Sequence, residues 1–451
     1  MRKINISILI FIFLISGFKN MWAQESNLTP FPEKSYSLDD LYQIALMRSE
    51  RIKISEEDLY IAKRTREKAL SVLIPKFSAF GNYTRYSEEK MADDSVTLLQ
   101  PESTTAWGAR FDQSFTLNGK ELIALRITED SIEKSKYDLN AVKEEYLFYV
   151  ASAYYDVLKA AYVIDIARAN VDRLETHRNA VNVQMKIEAV TKTALYRAEA
   201  ELSKANAALI DTKNRLRLAK TVLSRIVGLD NDYEIKAPDF YKDSLLENDL
   251  DSLKQEALLK RAELKSLAIA KEISEDKIKF SKSDYWPTVS LEGVYTKMDQ
   301  QPESSMVNEE SLAVGVLLNF TIFDGGLRKA QIKESMAQNR QAELAEKDMS
   351  KEIATEVQEA YLDLHTQTSV LKSLEDQLEF ARENYNAVTK QFKYGRANSI
   401  DAMDANTLLV TSEIRLLEAK YNRRLAGLKL HRARGTFLEQ IISRLEAKTG
   451  K

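Results

Sequence analysis

The chain has 451 residues, with 65 Lys+Arg against 68 Asp+Glu and a formal net charge of −3, a balance that gives no general electrostatic reason to bind nucleic acid. Cysteine is absent, which excludes disulfides, thiolate metal sites, a cysteine nucleophile and a lipid anchor on cysteine. Only 13 glycines and 7 prolines occur while 29% of residues are charged, a mixture that favours long helices over compact α/β layering and makes an ordinary enzyme the weaker reading.

Arg2 and Lys3 open the chain, Ile4 to Ile15 is apolar apart from Asn5 and Ser7, and Met21-Trp22-Ala23 precedes Gln24. The apolar run is short of the about 20 residues that a spanning helix needs. Residues 1–23 therefore read as a secretory signal peptide, and 24–36 as an N-terminal extension. No later stretch is apolar enough for a spanning helix. If the exported protein enters a membrane, it must cross as strands.

Proline positions say where helices cannot run. Pro101 and Pro238 bound one proline-free stretch, Pro302 begins another that reaches the C-terminus, and glycine is missing between Gly119 and Gly228. Interiors free of both breakers and rich in Ala, Leu, Glu, Lys and Arg suit very long helices. Leu147, Val150, Tyr154, Val157, Ala161 and Ile164 follow alternating three- and four-residue steps. Ile353, Val357, Ala360, Leu364, Leu371, Leu374, Leu378, Tyr385, Val388 and Phe392 do the same later. Such seams pack helices as coiled coils. A helix from about Gly119 to Lys186 is on the order of 100 Å long and cannot bury itself in a globule of this size.

The two halves echo each other. Pro75 and Pro287, Leu41 and Leu253, and Ala45 and Ala257 share one offset; Tyr154 and Tyr361, Ile164 and Leu371, and Gly228 and Gly435 share another, five residues shorter. The shortfall falls on loop-like residues, Ser87–Ser103 against Lys297–Glu310. The reading is a duplication, with a first repeat at 37–230, a connector at 231–249, a second repeat at 250–437 and a tail at 438–451.

Within each repeat two segments alternate with period two. Phe77, Ala79 and Tyr83 oppose Ser78, Asn82 and Thr84, while Trp107, Ala109, Phe111, Phe115 and Leu117 oppose Gly108, Arg110, Asp112, Ser114 and Thr116. Val289, Leu291 and Tyr295 oppose Thr288, Ser290 and Glu292, while Leu312, Val314, Val316, Leu318, Phe320 and Ile322 oppose Ser311, Ala313, Gly315, Asn319 and Thr321. Four such segments after a secretion signal predict strands with lipid on one side and water on the other. Four strands cannot close around a channel, so several chains must share one barrel.

Two stretches then carry a family resemblance. Phe320-Thr321-Ile322-Phe323-Asp324-Gly325-Gly326-Leu327-Arg328 resembles the strand-to-helix junction of TolC-type outer-membrane efflux proteins, and Tyr394-Gly395-Arg396-Ala397-Asn398-Ser399-Ile400-Asp401-Ala402-Met403-Asp404-Ala405 resembles their periplasmic turn. The resemblance covers nearly all of the chain after the signal. It implies a mainly α protein with a membrane β-barrel part: a homotrimer whose subunits each give four strands to a twelve-stranded barrel in outer-membrane lipid, continued by a periplasmic α-barrel of long coiled-coil helices. It further implies a passive exit duct of a tripartite efflux or type I secretion system. Its partners would be a periplasmic membrane-fusion adaptor and an inner-membrane efflux pump or ABC exporter.

The candidate functional residues follow from the same stretches. Glycines at Gly325, Gly326 and Gly119, beside Asp324 and Asn118, permit the positive φ values of a sharp strand-to-helix turn. Asp401 and Asp404 lie a turn apart on one helix face, where acidic residues also suit a helix start. By resemblance they line the closed end of the tunnel, where rings of carboxylates attract cations. The first repeat has uncharged Leu195 and Ala198 at what read as the corresponding positions. Phe392 stands where the family's pattern has a tyrosine and Ala397 where it has an arginine, so apolar packing by Phe392 and Leu195 is expected to share in fastening this gate. The tips, around Ala189, Val190, Thr191 and Thr193 and around Gly395, Arg396 and Ser399, read as tight turns between antiparallel helices and by resemblance as adaptor-docking sites. His177, His365 and His431 are scattered without metal-ligand spacing; no catalytic motif and no cofactor are expected. The competing reading is a secreted or periplasmic coiled-coil scaffold without a pore, which gives no reason for Leu312, Val314, Val316 and Leu318 to share one face.

Overall fold

The computed structural model describes residues 35–92, 98–230, 233–237, 249–303 and 308–449; the signal peptide expected at 1–23 and most of the 24–36 extension lie outside them. The chain begins with β1 (Ser35–Tyr36), α1 (Leu38–Arg48), α2 (Glu50–Val72) and β2 (Lys76–Arg85). The short β3 (Lys90–Met91) and β4 (Leu98–Gln100) follow, then β5 (Ser103–Thr116), α3 (Lys120–Lys186) and α4 (Lys192–Val227). After β6 (Glu234–Ile235) the pattern recurs as α5 (Leu250–Lys260), α6 (Ala262–Lys282), a 3-10 turn Ser283–Tyr285, β7 (Thr288–Gln301) and β8 (Glu310–Asn319). It ends with α7 (Leu327–Lys393), α8 (Ser399–Ala433) and α9 (Phe437–Thr449).

The breaker-free stretches form α3 and α7, each 67 residues and so about 100 Å long. Both start from a glycine in the left-handed region, Gly119 and Gly326. Each folds back through a short turn onto its partner, α4 or α8. The seams close on Leu378, Ala381, Leu409 and Leu416 between α7 and α8, and on Ile353, Val357, Leu364 and Leu430 nearer the strands, where Leu253 and Ala257 of α5 join. The largest core gathers α1, α3 and α4 around Leu41, Tyr42, Leu147, Tyr154, Leu223 and Val227. The duplication is visible in geometry: α1 and α5 are both 11 residues, and each breaks sharply into the next helix at Ser49 or Arg261 with matching backbone angles.

One antiparallel sheet has the order β2-β5-β7-β8. Its register places Phe77 beside Phe111, Ala109 beside Tyr295, Leu291 beside Val316 and Val289 beside Leu318. All four alternating sets thus share one face. Arg110 pairs with Glu292 at 3.3 Å and Ser114 with Ser290 at 2.7 Å on the other. Leu312, Val314 and Val316 are more than 70% exposed in the single chain. Among the described residues no helix is long and apolar enough to cross a membrane.

Four details differ from the sequence reading. Phe320 and Ile322 are not in a strand, because β8 ends at Asn319 opposite Thr288 and the next partner would be Pro287, which has no N–H to give. The loop-like residues 87–103 hold the β3–β4 ribbon, and 297–301 belong to β7. The extension and connector meet as a two-residue parallel ladder, β1 on β6. The expected tail at 438–451 forms most of α9, whose Phe437 and Ile441 are buried in the first repeat's core; their four-residue spacing was a helical signal too brief to stand out alone.

The turn before α9 depends on Gly435, at φ +71°, where a Cβ would meet the backbone of Arg261 at 2.9 Å. Gly325 is at φ +68° with open space around it. Gly325→Ala should cost only the left-handed penalty, about 1 kcal/mol, while Gly435→Ala adds a backbone clash and should cost clearly more. Thermal midpoints of the helical circular-dichroism signal for the two variants check the order.

Candidate functional site

Both strand-to-helix junctions are tied to one place. Asn118 donates to the Ser283 hydroxyl at 2.7 Å, and Lys120 pairs with Asp284. In the second repeat Asp324 accepts from the backbone N–H of Gly326 at 3.0 Å and of Arg328 at 2.9 Å, and from Arg328 Nε at 2.6 Å. These backbone N–H donors, with the Arg328 guanidinium, hold the Asp324 carboxyl down to about 2. Arg328, itself buried, also donates to the Asp284 carbonyl at 3.1 Å and lies over the Tyr285 ring at 4.5 Å. The 3-10 turn Ser283–Tyr285 therefore anchors both junctions, where strands lead into long helices. Gly325 and Gly326 adopt φ +68° and +94°. The motif drew attention to Asp324 and the glycines; the anchoring by Asp284 and Arg328 had no sequence signal beyond charge.

At the far end of the long helices the two turns have the same geometry. Gly395 is at φ +69°, and Glu188, 60°, holds the same place in the first repeat without being glycine. Ala189 N–H donates to the Gln184 carbonyl at 2.9 Å, and Arg396 N–H to that of Gln391 at 2.8 Å. Each bond closes a helix end across a left-handed residue. Ala189, Val190, Thr191, Thr193, Gly395, Arg396, Ser399 and Asp401, remote in sequence, line a single cleft of about 880 Å³.

Above the turns, Phe392 is buried against Val181, Ala198 and Ala402, with Leu195 and Val190 packed around them. One aromatic side chain thus joins α3, α4, α7 and α8. Because α4 starts at Lys192 and α8 at Ser399, the first-repeat counterparts of Asp401 and Asp404 are Ala194 and Arg197. Leu195 and Ala198, the positions expected, are one residue out. Asp401 accepts the Asn398 N–H at 3.1 Å while its own N–H donates to Asn398 Oδ1 at 2.9 Å, a reciprocal cap. Both Asp401 and Asp404 are exposed, on the face of α8 away from its packed residues Ala402, Met403 and Asn406.

Polar ties between α3 and α8 were not foreseen. His177 Nε2 and Ser399 Oγ are 2.9 Å apart, and the imidazole stacks on Phe392 at 4.9 Å. Asn406 donates to Asn170 at 2.7 Å, and Arg173 to Glu413 at 3.2 Å. Ser399, Asn406 and Glu413 recur at seven-residue steps, so a polar stripe inside an apolar heptad was the available signal. A second cleft, of about 560 Å³, lies between α3, α7 and α8 beside His177 and Phe392. Among the described residues no group of His, Asp and Glu could hold a metal ion.

A chain that offers four strands with one largely apolar face, leads them into two helices of about 100 Å that fold back on shorter partners, and ends in paired tips has the architecture expected of an outer-membrane channel subunit with a helical tunnel. Residues 253–436 match the model of the outer membrane efflux protein family. The outer membrane protein TolC of Escherichia coli is 21% identical, with 97% of this chain and 87% of that protein covered. The alkaline protease secretion protein AprF of Pseudomonas aeruginosa is 23% identical, over 89% of this chain and 85% of its own. In three dimensions the outer membrane protein VceC of Vibrio cholerae superposes with a TM-score of 0.77 at 15% identity, covering 88% of this chain and 96% of that one. Over most of its length the chain is thus similar in sequence to TolC-like outer membrane efflux proteins and shares their fold.

Phe392→Ala removes the side chain that joins four helices, and truncation of a buried phenylalanine costs about 3–5 kcal/mol. Hydrogen exchange of the tip amides should rise while that of α1 and α9 stays unchanged. Burial holds the His177 pKa below its ordinary 6.5, so its contribution is full above the ordinary histidine range and is lost as pH falls through the depressed value. The same amides should therefore lose protection on acidification, and His177→Gln should abolish that dependence.

Proposed function

We propose that three copies of this chain form a passive exit duct in the outer membrane, carrying substrates delivered by an inner-membrane efflux pump or ABC exporter through a periplasmic adaptor. The observation that carries the reading is the sheet: one face largely apolar, with Leu312, Val314 and Val316 exposed, two edges unpaired among the described residues, and 67-residue helices leaving one end. A pore-free scaffold has no use for such a face. The chain has the architecture of a conduit, and we read it as having no catalytic role. Relatives named for efflux and for protease secretion support both kinds of cargo system. The decisive test is fractionation of the mature protein: recovery in outer membranes as a trimer is expected, and a soluble monomer would overturn the reading.

In the trimer, three copies each of Asp401 and Asp404 form carboxylate rings at the periplasmic mouth, where Phe392 and Leu195 hold the subunit's own hairpins shut. The cleft between the turns at Ala189–Thr193 and Gly395–Ser399 receives the adaptor. Capping explains Asp401 in part, but Asp404 makes no comparable bond and shares its exposed face. Asp401→Ala with Asp404→Ala should lower cation-over-anion preference in planar-bilayer recordings; unchanged selectivity would remove both from the gate. Deleting residues 395–399 should abolish crosslinking to the adaptor while the trimer persists on native gels.

A further inference from the structure

Helix α9 is a strap. It belongs to the end of the second repeat, yet Phe437 and Ile441 lie in the core of the first, with the Phe437 ring 6.2 Å from both Tyr42 and Phe148. Under its first turn sits Glu144 of α3, 5% exposed. The carboxylate accepts the backbone N–H of Leu438, but its Oε1 has no hydrogen-bond partner. A buried ionised carboxylate half without partners is expensive.

The cationic neighbours, Arg261 and Arg432, relieve it only in part. Arg261, at the α5–α6 break, is committed: Nε and Nη2 donate to Glu263 at 3.0 Å, and Nη1 to Glu356 at 2.5 Å and to the Ala433 carbonyl at 3.3 Å. Glu263 adds a like charge, and Arg432 of α8 lies over Phe148 at 5.5 Å. Around the adjoining cleft of about 410 Å³ stand Tyr137 of α3, Lys260 of α5, Lys265 of α6, and Glu439 and Glu446 of α9. Lys260 is paired with Glu256 at 3.2 Å and Glu439 at 3.7 Å, and Lys265 lies over the Tyr137 ring. The duplicated frame does not need this arrangement. Ser49 replaces Arg261 in the first repeat and caps α2 with its hydroxyl, and the second-repeat counterpart of Glu144 is the exposed Lys351.

We propose that Glu144 is a proton-binding site that sets how firmly α9 straps the two repeats together. Protonated, the side chain keeps the Leu438 bond and loses both the buried charge and the repulsion from Glu263. Ionised, it has the Leu438 bond, the α9 N-terminus and the attraction of Arg261 and Arg432 against those two costs, and burial and Glu263 outweigh them. Burial first, then Glu263, lifts the carboxyl from 4.5 to about 7. With the folded value raised, stabilisation is full below the ordinary glutamate range and is lost as pH rises through about 7. The strap is tight in mild acid and looser in mild alkali.

Hydrogen exchange on the native detergent-solubilised trimer tests this, with rates corrected for intrinsic chemistry between about pH 5.5 and 8.5. Amides of α9 should open roughly tenfold or more often at the alkaline end, with the midpoint near neutrality. Glu144→Gln, which keeps an acceptor for Leu438, should be flat and match the wild type in acid. Glu263→Gln should move the midpoint to lower pH by removing the like charge and freeing Arg261. An identical pH course for wild type and Glu144→Gln, or an unmoved midpoint in Glu263→Gln, overturns the proposal.

Discussion

The outer edges of β2 and β8 govern the rest of the design. In water an unpaired strand edge is solvated; in hydrocarbon every unpaired N–H and C=O costs several kcal/mol. The exposed Leu312, Val314 and Val316 assign this sheet to lipid, yet among the described residues both ends of β2-β5-β7-β8 lack a partner. Closure has to come from other copies, which is what the proposed trimer supplies. The same requirement extends to the helices. Tyr196, Ile210 and Leu218 on α4, with Leu344, Leu362 and Phe380 on α7, are exposed apolar side chains on the two hairpins that the shared barrel brings next to neighbouring subunits.

Much of this was legible in the chain because the signals were long. Sixty-seven residues without proline or glycine leave a helix as the only regular option, and four alternating segments repeated in two halves carry more weight than any one alone. What escaped was short or relational. The β1–β6 ladder is two residues on each side, with no periodicity to read. Phe320 and Ile322 continue the alternation of β8, and only the position of Pro287 on another strand ends the pairing there. The role of Asp284 and Arg328 in anchoring the junctions depends on which turn packs against which, and residue type alone does not fix that. At the tips, Phe392 is buried among four helices. His177, Asn170 and Asn406 meet only once the α3–α8 register is known. The matching starts of α4 and α8 corrected the first-repeat counterparts of the acidic pair, since one residue of misalignment on a helix rotates a side chain by about 100°.

Duplication supplies the frame, and departures from it locate what the two halves do differently. Backbone geometry is copied even where chemistry is not: Glu188 adopts the left-handed conformation of Gly395, at a cost of roughly 1–2 kcal/mol, because the turn admits no other path. Charge is where the repeats diverge. Asp401 and Asp404 of the second repeat correspond to Ala194 and Arg197 of the first, so the acidic pair belongs to one hairpin only. At the helix breaks, Ser49 caps a helix with a hydroxyl whereas Arg261 knits α5, α6, α7 and α8 through ion pairs. Opposed charges at one level and carboxylates at another make the second repeat the electrostatically specialised half.

Packing decides which end of such a rod yields first. The core where α1, α3, α4 and α9 meet holds 18 buried apolar residues, whereas the tip cluster has four, Val181, Ala198, Phe392 and Ala402. Local opening draws on the elements with least buried apolar contact, so the tips separate at a cost that leaves the upper core and the strand junctions intact. Polar ties at His177–Ser399, Asn170–Asn406 and Arg173–Glu413 suit this role, because their groups are satisfied by water once parted and the net loss per hydrogen bond is about 1 kcal/mol. An apolar seam of the same length would resist opening far more strongly. One buried ring and several replaceable hydrogen bonds suit the gate proposed here better than a continuous hydrophobic zip would.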